Sequence, residues 1–150
     1  MTALLTLGGG FLLAVVWMDL MFDVQALRGP AREPLPEPAL ASIAAYYRRV
    51  TTDARPMNLL IGVVMIATVL GSVASLLRGS APLPWRVAAL LLAVVPIVLA
   101  QRRVFPNAVR LGARSDTPER QSELARKVAR DHVACFAAML AFVAIQLCAG

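Results

Sequence analysis

The chain has 150 residues, 59% hydrophobic and 16% charged, with a mean hydropathy of +0.69. The length excludes two domains of ordinary size. The composition excludes a soluble domain, which could not hide so much apolar surface. A net charge of +6 does not point to nucleic acid, because the basic residues stand in short clusters between apolar runs, as they do in membrane proteins.

The first apolar run, residues 1–18, carries no charged side chain. Nothing basic occurs before Arg28, and Asp19 and Asp23 follow the run, so it lacks the basic start of a signal peptide and reads as a first membrane helix. Next comes a stiff, irregular stretch, Arg28-Gly29-Pro30 and then Pro34, Pro36 and Pro38. Residues 39–52 have helical composition, with Ile43, Tyr46, Tyr47 and Val50 spaced by three and four and Arg48 and Arg49 beside them. This pattern predicts a short amphipathic helix lying on the cytoplasmic membrane surface. A second apolar run, residues 56–77, stands between Arg55 and Arg78, and its row Thr68, Gly71, Ser72, Ser75 predicts a close helix contact of the small-residue type. Residues 79–84 form a tight turn. In the third run, residues 83–101, Pro96 predicts a kink or a thinned helix. Thr117-Pro118-Glu119 starts a last helix with a capping hydroxyl, a first-turn proline and an early acid. Running to about residue 147, that helix is roughly 45 Å long, so its first third projects beyond the membrane.

Each run approaches the roughly 20 residues needed to cross the hydrocarbon layer, and unpaired strands cannot exist in lipid. The expectation is an all-α fold. A single integral domain, residues 1–150, forms a four-transmembrane-helix bundle with spans at about 2–24, 57–78, 83–104 and 128–148. A short cytoplasmic interfacial helix lies between the first two spans, and the fourth helix is long. The three connections carry five, two and eight basic residues. By the positive-inside rule the first and third face the cytoplasm and both termini face outward. In a bacterial cell, which the character of the sequence suggests, this is the inner membrane.

With that orientation the polar residues gather at the cytoplasmic ends of the spans. Asp19 and Asp23, four apart, share a helix face. Arg55 and Asn58 open the second span, Asn107 follows the third, and Asp131, His132 and Cys135 open the fourth. Ionisable groups at membrane depth are costly and are either paired or functional. One reading pairs Asp19 and Asp23 with Arg55, Arg102 or Arg103 and pins the bundle. The other makes His132 an acid or base, oriented by Asp19 or Asp131, with Asn58, Asn107, Asp23 and Arg55 lining a substrate pocket. His132 is the chain's one histidine, which excludes a bis-histidine haem within one chain. No metal spacing is recognised, and no motif specifies a cofactor. Cys135 and Cys148, about 20 Å apart along one helix, cannot bond to each other.

The Pro56 and Asn58 start, the Val104-Phe105-Pro106-Asn107 step and Arg130-Asp131-His132 resemble the anthrone oxygenase-like family of small four-helix membrane proteins. Phe105 is an extra residue in the family's Val-Pro-x-Asn step, and Asp131 stands where the family has Asn. The resemblance implies a pocket between the helices, with Asn107 and His132 beside it, and oxidation of an aromatic substrate.

Three functions follow from these readings. The first is a small membrane enzyme acting on a lipophilic or aromatic molecule from a cytoplasm-facing pocket. The second is an accessory or assembly subunit of a membrane complex, its arginines meeting anionic lipid or a partner protein. The third is the protomer of an oligomeric transporter or channel. The expected partners are the bilayer, a lipophilic small molecule, and a homo-oligomer or membrane partner, with no nucleic acid.

Overall fold

The computed structural model describes residues 1–28, 30, 33–53 and 55–149, the side chains of Arg55 and Ala149 excepted. Among these residues there is helix and no strand. Helix α1 is Thr2–Asp23, extended by a 3-10 turn, Val24–Leu27. Helix α2 is Glu37–Arg48, which passes into a π-helical turn, Arg49–Asp53. Helix α3 is Arg55–Arg78. Helix α4, Leu83–Leu99, runs through a second π-helical turn, Ala100–Val104, into α5, Phe105–Ala113. Helix α6 is Pro118–Ala149.

Four of these stretches are long and apolar enough to cross a membrane: Thr2–Leu27, Pro56–Arg78, Leu83–Ala113 and Pro118–Cys148. They make a multi-pass membrane protein the natural reading. The third continues nine residues past the expected end at 104. Its π-helical turn lies between Pro96 and Pro106, each of which withholds an N–H from the ladder, and the wider turn absorbs the missing bonds without ending the helix.

The four spans close a ring. Helix α1 packs against α3 and α6, and α4 packs against the same two. The first and third connections therefore meet at one end, where α2 lies on α5 and the first third of α6. Among the described residues this capped end holds twelve of the fourteen basic residues and all nine acidic ones, whereas the other end holds Arg78 and Arg86. Arg86 turns back there to donate to the Leu76 carbonyl at 2.7 Å, satisfying an open carbonyl at the end of α3.

Helix α2 forms where expected, but its environment differs from the expectation. The amphipathic pattern places its apolar face on the bilayer surface. Instead Ile43 and Tyr47 are buried with Val104, Ala108, Leu111 and Val128, because α5 and α6 offer a protein surface to that face. The backbone of Tyr47 and Arg48 lies directly on Gly112. A Cβ there would stand 2.7 Å from the Arg48 nitrogen, so only glycine permits this approach of α5 to α2.

Within the ring, two buried seams face each other. On α1 the seam is Leu5, Gly9, Leu12, Asp19 and Asp23; on α6 it is Val128, His132, Cys135, Met139, Phe142 and Gln146. Steps of three, four and seven keep each seam on one face. At the uncapped end Phe142 sits on Gly9, where a Cβ would come within 2.7 Å of the ring. The row at Thr68, Gly71 and Ser72 makes the predicted close contact: Gly71 faces Leu5, Thr68 faces Gly8, and both hydroxyl residues are buried.

Candidate functional site

Toward the capped end the two seams change chemistry. Positions that elsewhere hold Leu, Met or Phe hold Asp19, Asp23 and His132, so all three ionisable side chains turn inward. Asp23 is wholly buried and His132 is 5% exposed. The Asp23 Oδ2 lies 2.5 Å from His132 Nδ1, and its Oδ1 accepts the Tyr47 hydroxyl at 2.6 Å. To an ionised Asp23, which only accepts hydrogen bonds, the Nδ1–H tautomer donates, and that bond fixes the ring. The Tyr47 oxygen also lies 3.4 Å from Nδ1.

Asp19 is one turn nearer the uncapped end. Its Oδ1 accepts the Tyr46 hydroxyl at 2.6 Å, and its Oδ2 faces His132 Nε2 at 3.6 Å, beyond hydrogen-bond distance. The imidazole is thus gripped at one nitrogen, while the other faces a carboxylate without bonding to it. Asp19 is also the more open of the two acids, its side chain 16% exposed against 0% for Asp23.

Helix α2 supplies both phenols. The Tyr46 ring stacks on Phe22 with centroids 4.0 Å apart and meets Tyr47 edge-on at 5.4 Å. Burial, and then the negative charge of Asp19 and Asp23, pushes both phenols well above the usual tyrosine range. They therefore remain neutral donors to the carboxylates. Two carboxylates in so dry a place need such donors, since an unpaired buried charge is expensive.

The other residues singled out in the sequence lie outside this network. Asp131, adjacent to His132, is rotated about 100° around the helix. It takes Arg103 at 3.1 Å and leaves its Oδ2 buried without a partner among the described residues. Arg103, a candidate partner for Asp19 and Asp23, is thus engaged elsewhere. Asn58 donates to the Thr51 carbonyl at 3.3 Å, and Asn107 is half-buried at the start of α5. Neither bonds to the network among the described residues. The Arg55 side chain lies outside the described residues. Cys135, also on the α6 seam, donates its thiol to the Pro96 carbonyl at 3.7 Å.

The residues missed as site members are Tyr46 and Tyr47, which read in sequence as part of an apolar stripe. A signal was present: two inward aspartates one turn apart demand donors, and a phenol is an apolar body with a donating tip. Among the described residues no group of three His, Cys, Asp or Glu side chains is placed to hold a metal ion. A groove of about 430 Å³ at the capped end, lined by Gln25, Arg28, Leu35, Ala39 and Arg126 among others, contains no member of the network.

Compared with known proteins, the chain matches no family model, no curated protein and no solved structure.

Proposed function

We propose that this is a small membrane enzyme whose acid–base centre is His132, acting on a lipophilic molecule. One observation carries the reading. His132 Nδ1 is held by the fully buried Asp23, while Nε2 faces Asp19 at a distance that leaves it unbonded. A carboxylate that orients an imidazole and leaves the second nitrogen open is the arrangement general acid–base catalysis requires. In this role His132 exchanges the proton through Nε2, Asp23 with Tyr47 positions the ring, and Asp19 with Tyr46 forms the more open edge where a substrate oxygen is met. The capped, arginine-rich end faces the cytoplasm and both termini lie outside. The likeness of Pro56, Asn58, Asn107 and His132 to the anthrone oxygenase-like pattern directs the first search to aromatic substrates.

The test compares lipophilic extracts of membranes that contain the wild type, His132→Gln or no protein, with folded amounts matched by size-exclusion in detergent. A species that changes with the wild type and not with His132→Gln supports the enzyme. Extracts identical in all three would overturn it in favour of an accessory subunit or transporter protomer.

A further inference from the structure

The eight basic residues of the third connection fall into two groups. Toward the far side of the cap they are taken up by the protein. Arg110 reaches Asp116 at 2.6 Å, Arg114 forks onto Glu37 at 2.8 and 2.9 Å, and Arg120 reaches Glu123 at 2.6 Å. Arg126 donates to the carbonyls of Pro30 and Glu33. At the level where the spans leave the apolar zone the balance is different. Arg102 and Arg130 are exposed and form no ion pair among the described residues. They flank the Arg103–Asp131 pair that joins the π-helical turn after α4 to α6. Lys127, also exposed, stands one helical turn before Asp131. Asp131 is the one carboxylate in residues 100–104 and 127–131, against four cations, and it pairs with Arg103 alone among the described residues.

The neighbours of this patch say what lies beside it. Val98, Phe105 and Val133 are between 43% and 47% exposed, as side chains facing lipid tails are. In a bilayer that covers these apolar side chains, the basic patch would lie at the level of the phospholipid phosphates. We propose that this α4–α6 face binds the phosphate headgroup of an anionic phospholipid, with Arg102 and Arg130 as its charged ligands. Guanidinium groups match phosphate oxygens in charge and fork geometry. Arg103 is held ready beside them by Asp131. This site is independent of the reading of His132.

The experiment uses the full chain in nanodiscs of phosphatidylcholine with and without phosphatidylglycerol, and native mass spectrometry to count retained lipid. The wild type retains phosphatidylglycerol in preference to phosphatidylcholine. Arg102→Gln with Arg130→Gln lowers that preference about fivefold for each arginine removed. Arg110→Gln with Arg120→Gln, which removes as much charge from paired positions, leaves it near the wild-type value. Equal losses in the two double variants would overturn the site in favour of diffuse attraction. A wild type with no preference would overturn it outright, whether or not the variants fold. The Arg→Lys pair, which keeps the charge and loses the fork, retains part of the preference.

Discussion

The two halves of the bundle use the same helix faces for different purposes. Toward the uncapped end the α1 and α6 seams meet through Gly9 and Phe142, and α3 closes on α1 through Thr68 and Gly71. Nothing there needs a charge, and closeness supplies the attraction, as dispersion must in lipid. Toward the capped end the same seams hold Asp19, Asp23 and His132; Asp23 and His132 meet each other, but closeness alone would leave Asp19 and the second Asp23 oxygen without donors. A helix that does not cross the membrane solves this, because α2 brings two phenols to two carboxylates. The packed half holds the ring together, while the charged half depends on a helix that the ring does not require.

The comparison breaks most sharply at Asp23. Asp23→Ala strands the imidazole and the Tyr47 hydroxyl in a buried place and is expected to cost about 3–5 kcal/mol, read from denaturant unfolding in detergent. A loss below that of an ordinary surface change would mean that the network contributes nothing to the fold. Tyr47→Phe removes one hydrogen bond to a buried carboxylate, with an expected loss of about 1.5–3 kcal/mol. Tyr46→Phe, at the more open edge, costs less. In the packed half, Gly9→Val drives a side chain into Phe142 and Val143 and is expected to cost about 1–3 kcal/mol. Gly10→Val, whose Cβ meets no atom within 4 Å, is close to neutral in the same assay.

The smallest effect sharpens the contrast without any mutation. Both tyrosines of the chain belong to the network, so phenolate absorbance in the ultraviolet reports on it alone. Their ionisation is displaced upward in the folded protein. The folded chain therefore shows little phenolate at the ordinary tyrosine value of about 10, where the unfolded chain is half ionised. The sign follows from linkage. A raised folded value gives stability that is fully present below about pH 10 and is lost as the pH climbs toward the folded value.

Much of this could be read from the sequence, because a membrane restricts the choices. Apolar runs of span length gave the four crossing helices, and Thr117-Pro118 gave the start of α6. Asp19, Asp23 and His132 were legible as inward groups at one depth. Their partners were not, because pairing between distant segments depends on how α2 docks. That docking turns on Gly112, whose missing side chain has no periodic signature. The continuation of the third helix into α5 was hidden as well. Arg102 and Arg103 close the apolar run, yet a π-helical turn carries the helix past them. The separation of Asp131 from His132 was open to inspection, since neighbours on a helix point about 100° apart.

The most direct measurement is the nitrogen-15 spectrum of the single histidine in detergent micelles, recorded for the wild type, Asp23→Asn and Asp131→Asn. The wild type should show one exchange-protected Nδ1 proton far downfield, retained in Asp131→Asn and lost or shifted strongly upfield in Asp23→Asn. A freely exchanging imidazole with the same spectrum in all three proteins would contradict the Asp23–His132 centre.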